Sequence, residues 1–148
     1  MKSDGFVKMI SSFFYLGHLP LAPGTWGSLA GLLIGWFTPT PFDLPALLFM
    51  CVLGFYACPR AVAVYKAKDP SAFVMDEVCG MMLGVLWLPK AGWVAFVGFL
   101  LFRFFDIVKP WPISWIQKKN SPSCILWDDL LAGVFTNLVL RAGFLLGV

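Results

Sequence analysis

Prolines and paired charges cut this chain into apolar stretches too short for ordinary membrane spans and too apolar for a soluble domain. Runs extend from about Trp26 to Phe37, from about Leu44 through Cys58 with a more amphipathic continuation to residue 68, and from Phe73 to Leu88. Two more cover Ala91 to Val108 and Ile125 to the C-terminus. "TPTPFD" ends the first and Pro89 the third, because proline has no amide to donate and cannot continue a helix. With 59% hydrophobic and only 13% charged residues, the chain has membrane composition. The expectation is an all-α fold, a single domain over 1–148: a small polytopic membrane helix bundle of about four to five membrane helices. Since a full span takes ~20 residues, the charged ends of the shorter runs must lie in the interface or in a polar cleft.

The N-terminal stretch carries Phe6, Ile10, Phe13 and Phe14, with Lys2 and Lys8 opposite. Without a small-x-small cleavage site it reads as an amphipathic helix at the membrane interface rather than a signal peptide. Net charge is +3, but Lys and Arg form no stripe interleaved with polar readers, so nucleic acid is not expected as a partner. An anionic lipid surface or anionic substrate fits better. Cys51, Cys58, Cys79 and Cys124 have neither metal-knuckle spacing nor a disulfide pattern and are expected to be small hydrophobes in a reducing compartment. His18, with no assignable partner, is expected to be an interfacial polar residue. If the N-terminal helix is cytoplasmic, Arg60, Lys66, Lys68, Arg103, Lys109, Lys118 and Lys119 all return to that side, as the positive-inside rule requires. Lys90, Asp43 and Arg141 are left for the other.

The same topology gathers five carboxylates at the cytoplasmic face. "DEVCG" pairs Asp76 with Glu77, and "WDDLLAG" pairs Asp128 with Asp129; Gly80 and Gly133 follow within about a turn and allow close approach. Acids at helix starts are favoured by the dipole alone. Two such pairs plus Asp106, in a chain this poor in charge, point beyond capping, because ionisable groups near lipid are costly. Clustered carboxylates without a His or Cys pattern suit a hard divalent cation, Mg2+ above all. Arg103, Asp106 and Lys109 are spaced to share one helical face, with the cations placed to hold a phosphate. "KPWPISW" then breaks the helix and sets Trp111 and Trp115 at interfacial depth. "LAPGTWGSLAG" is a glycine-rich entry to a helix, with Thr25 as expected N-cap and Gly24 and Ser28 available to an anion. Together these predict metal-assisted chemistry on a phosphorylated amphiphile. An ion path would instead spread polar residues across the bilayer depth.

"PLAPGTWGS", "DPSAFVMDEVCG", "FRFFDIVKPWPISW" and "WDDLLAGV" resemble the successive signature blocks of the phosphatidylglycerophosphatase A family, in order, from about residue 17 to 135. The resemblance implies a multi-pass bacterial inner-membrane, Mg2+-dependent phosphatase. Its substrate would be the anionic phospholipid phosphatidylglycerophosphate and its products phosphatidylglycerol and inorganic phosphate, with the active site at the cytoplasmic face. Carried over by motif, Asp76, Glu77, Asp128 and Asp129 are the metal and catalytic acids, joined by Asp106. Arg103 and Lys109 match the family's basic positions, and Gly24, Thr25 and Ser28 its phosphate-side loop. Many members have a serine before the first proline of that loop; here it is Leu19.

Overall fold

Each proline-bounded stretch forms one helix in the computed structural model, which describes residues 2–119 and 121–147, Lys2 and Ser3 by backbone alone. Helices α1 (Lys2–Ser11), α2 (Pro23–Phe37), α3 (Asp43–Tyr65), α4 (Met75–Gly84), α5 (Gly92–Val108), α6 (Ile113–Gln117) and α7 (Cys124–Leu145) follow in order, with a 3-10 turn at Leu16–His18. No strand occurs among the described residues, so the all-α expectation holds.

Helix α4 is the hub: eight of its ten residues are buried, enclosed by α2, α3, α5 and α7. Glycines bring its backbone close to both neighbours. A Cβ on Gly133 of α7 would collide with the Gly80 carbonyl oxygen of α4, and one on Gly80 would meet the Asp129 carbonyl at 2.5 Å. On the other flank Gly27 and Gly31 of α2 sit directly against Val74 and Val78. Small residues permit this approach, and dispersion across it helps hold the helices together. At 1.5 Å per residue, α4 is about 15 Å long and α3 about 34 Å.

Several expectations are corrected. Helix α2 begins at Pro23 with Ala22 as N-cap, so Thr25 is a first-turn residue and not the cap. Proline at the first helical position explains the earlier start, its missing amide costing nothing there. The third run is helical only to Gly84. Asn137 Nδ2, reaching over from α7, donates to the carbonyls of Leu83, Gly84 and Leu86 and satisfies the turn that follows the helix end. Helix α3 continues past Pro59 as expected but stops at Tyr65 rather than at residue 68, and Arg60 Nη1 donates to the Tyr56 carbonyl at 2.7 Å beside the proline. In α1 the face packed on α3 is Val7 and Ile10, while Phe6 and Phe14 are exposed. Phe13, Phe14 and Tyr15 all have positive φ, so the chain reverses before Phe14 can join that face. The side chain of Lys2, expected opposite it, lies outside the described residues. Cys58, Cys79 and Cys124 are buried free thiols and Cys51 is half-buried.

Of the four to five expected membrane helices, α3 alone among the described residues is long and apolar enough for a full span by length and composition. Helices α2, α4 and α5 have 15, 10 and 17 residues, and the 22-residue α7 carries Asp128, Asp129 and Arg141.

Gly133→Ala is expected to lower the unfolding temperature of detergent-solubilised protein, at an overpacking cost of about 1–3 kcal/mol. Gly143→Ala, where nothing approaches within 4 Å, should leave it unchanged. Thermal unfolding followed by circular dichroism reads both.

Candidate active site

The α4–α7 contact sets the site, because Gly80 lies one turn past the acids of α4 and Gly133 one turn past those of α7. One carboxylate oxygen from each of Asp76, Glu77 and Asp129 falls within 4.8 Å of the other two. Local hydrogen bonds to the backbone account for part of the acid set. Asp76 Oδ1 accepts from the Glu77 amide at 3.0 Å and Asp128 Oδ1 from the Asp129 amide at 3.1 Å. They do not explain Glu77 and Asp129. Glu77 Oε2 and Asp129 Oδ2 are buried with no donor among the described residues, an arrangement that costs several kcal/mol unless a cation, a water or a proton meets them. Asp129 also sits a full turn inside α7, where the terminal dipole has faded.

Two cations flank the acids, each held by its own carboxylate. Arg103 Nη1 donates to Asp106 Oδ2 at 2.5 Å, one turn on, and to Ser28 Oγ at 3.4 Å. Ser28 Oγ donates in turn to the Gly24 carbonyl at 2.7 Å. A Cβ on Gly24 would meet Glu77 Oε1 at 2.5 Å and Arg103 Nη1 at 3.0 Å, so the first turn of α2 lies directly on those two groups. Thr25 is half-buried in that turn, and its amide and that of Trp26 both donate to the Ala22 carbonyl rather than standing free for an anion. Lys109 leaves the expected stripe. It caps α5 in a left-handed conformation, φ 46°, which turns Lys109 Nζ across to Asp128 Oδ2 at 2.5 Å. Burial by itself would lower the Lys109 pKa, but the hydrogen bond and charge of Asp128, with Asp129 and Asp106 behind it, outweigh this and raise it. The ammonium therefore stays charged throughout the physiological range.

The acids open into a cleft of about 1000 Å³ bounded by the end of α3, the 66–73 loop, α6 and the start of α7. Asp76, Glu77, Asp106, Asp128, Asp129 and Lys109 line it. Arg103, Gly24, Thr25 and Ser28 lie on the α2 flank of the acid cluster instead.

A hard cation fits the residues present: three carboxylates in mutual reach, two of them with unsatisfied buried oxygens and no sulfur or imidazole ligand. Asp128, expected as a fourth metal ligand, is taken by Lys109. His18, expected without a partner, lies 3.4 Å from the Tyr65 hydroxyl. Asn137, with no place in the expected chemistry, was signalled only as a lone amide in an apolar run.

The phosphatidylglycerophosphatase A family model matches residues 9–144. The chain belongs to the phosphatidylglycerophosphatase A family. A phosphatidylglycerophosphatase A of Haemophilus influenzae is 33% identical over 142 residues, covering 92% of this chain and 87% of its own length. That of Escherichia coli is 36% identical over 130 residues, covering 83% and 74%. A Bacteroides thetaiotaomicron protein provisionally named phosphatidylinositol-3-phosphatase is 31% identical, covering 95% of each chain. No solved structure matches.

Removing a member of the triad should weaken divalent-cation binding by at least the ~10–100-fold seen when a supporting residue of a metal site is lost. Titration calorimetry with Mg2+ on Asp76→Asn, Glu77→Gln and Asp129→Asn checks this. Asp128→Asn should bind the ion nearly as the parent does.

Proposed function

We propose that this chain is a Mg2+-dependent lipid phosphatase that converts phosphatidylglycerophosphate to phosphatidylglycerol and inorganic phosphate at the cytoplasmic face of a bacterial inner membrane. The observation that carries it is the triad of Asp76, Glu77 and Asp129, with orphaned buried oxygens, at the floor of a cleft lined by Lys109, with Arg103 on the α2 flank of the same acids. Membership of a family named for this phosphatase supports the substrate.

Asp76, Glu77 and Asp129 would hold Mg2+, which when bound polarises a phosphoryl group and lowers the pKa of an attacking water. Arg103, fixed by Asp106 and Ser28, and Lys109, fixed by Asp128, present pre-oriented positive charge to the phosphoryl oxygens as negative charge builds on them. Because both side chains are already paired, little side-chain freedom is lost when substrate arrives. Hydrolysis breaks the bond from phosphorus to the ester oxygen, and the lipid alcohol leaves with a proton.

Multi-pass insertion is supported by an outward-facing apolar surface, including Phe49, Val52, Phe96, Leu100, Ile107 and Leu138. The seven tryptophans divide between the two ends of the bundle. Trp26, Trp111, Trp115 and Trp127 fall at the cleft end, Trp36, Trp87 and Trp93 at the other, as interfacial belts require. Arg60, Lys66, Lys68, Lys118 and Lys119 also fall at the cleft end, which favours a cytoplasmic site. Lys90 instead donates to the Trp36 and Thr38 carbonyls at the far end.

The lipids named by the relatives, phosphatidylglycerophosphate and phosphatidylinositol 3-phosphate, share one chemistry: a terminal phosphomonoester joined through a polyol to a phosphodiester. Phosphatidate has only the monoester. Phosphate release by purified protein in neutral detergent micelles is expected from phosphatidylglycerophosphate with Mg2+ and not with chelator. Asp76→Asn, Glu77→Gln and Asp129→Asn should each reduce it by about 10²-fold or more. Release that persists in chelator, or a folded protein that prefers phosphatidate, overturns the proposal.

A further inference from the structure

The cleft is far larger than one phosphoryl group, falling at the top of the ~300–1,000 Å³ range that accommodates whole small-molecule ligands. Its charge is graded. The floor holds the acid triad, while the rim carries Lys66, Lys68 and Lys119 against a single carboxylate, Asp69. Among the described residues Arg103 and Lys109 are ion-paired, whereas Lys66 and Lys119 make no ion pair. Lys66 is placed by the backbone and Lys119 by its side chain. Lys66 caps α3 in a left-handed conformation, φ 52°, which directs the chain away from the helix axis at the cleft mouth. Lys119 Nζ rests 4.0 Å over the Trp115 ring, a cation–π contact that fixes the ammonium while leaving its hydrogen-bond donors free.

We infer that Lys66 and Lys119 form a second anion subsite at the cleft mouth that binds the phosphodiester of the substrate headgroup while its terminal phosphomonoester lies at the acid triad. The assignment rests on the phosphatase function proposed above and adds to it the feature that selects lipids with two phosphates. A cation over the rim discriminates by contributing binding that a monoester lipid cannot use. It acts on substrate and transition state alike, so it governs KM rather than kcat.

Kinetics on short-chain phosphatidylglycerophosphate in neutral micelles test it, since such micelles offer no anionic surface to attract lysines in general. Lys66→Gln and Lys119→Gln should each raise KM about three- to tenfold, the worth of an exposed to partly desolvated charge contact, with kcat unchanged. Lys118→Gln removes the same charge one residue away but outside the cleft lining, and should leave KM as it was. Product inhibition separates the two subsites. Both cleft variants should bind short-chain phosphatidylglycerol, which has only the phosphodiester, more weakly, and inorganic phosphate as before. A KM unmoved by Lys66→Gln and Lys119→Gln, an equal rise in Lys118→Gln, or parallel loss of both products overturns the subsite. If the parent protein releases no phosphate from this lipid at all, the phosphatase function itself has failed, an outcome distinct from each of these.

Discussion

Everything at the cleft floor depends on how closely the backbones of α4 and α7 approach through Gly80 and Gly133. In a lipid-exposed bundle this contact draws on dispersion, which falls away within an ångström. The contact lies one turn beyond the acids on each helix, so it acts as a lever: helices packed there bring Asp76, Glu77 and Asp129 into mutual reach. Backbone-to-backbone contact leaves no flexible side chain to give way. The acids are therefore held against their own repulsion by the stiffest part of the structure.

That repulsion organises the charges around them. Asp76, Glu77, Asp106, Asp128 and Asp129 face Arg103 and Lys109, so five carboxylates less two cations leave three formal negative charges when all are ionised. The two pairs are local, Asp106 one turn from Arg103 and Asp128 across from Lys109. The three acids they leave over are those whose oxygens converge. A divalent cation is the economical counter-charge for such a remainder, because it meets several oxygens at once where a third lysine would meet one.

The all-α architecture, most helix limits near prolines, and the acids as a cluster were legible in the sequence because each depends on local chemistry, whereas the short α6 falls in a stretch read only as a break. Prolines bound most of the runs, Pro59 inside α3 excepted, and charges in so apolar a chain can gather only where polar surroundings exist. What was not legible depends on partners distant in sequence. Asn137 meets the carbonyls at the end of α4 from more than fifty positions away. Lys109 falls on the stripe with Arg103 and Asp106 by spacing, yet one left-handed residue at the end of α5 sends it to Asp128 instead. Thr25 looked like a cap because Thr caps well, but Pro23 starts the helix earlier. The family resemblance supplied which residues matter without supplying which touch, and so Asp128 was grouped with the metal acids.

The shortness of α4 links the two ends of the molecule. A helix ending inside a bundle leaves carbonyls without partners. In water those carbonyls would be solvated; away from it each needs a donor from the protein. Asn137 provides it for Leu83, Gly84 and Leu86, joined by Arg141 at Leu86, while Lys90 does the same for the end of α2. The polar residues at the end opposite the cleft thus have a structural cause that does not compete with the site. They close the far ends of the two helices whose near ends carry Gly24, Asp76 and Glu77.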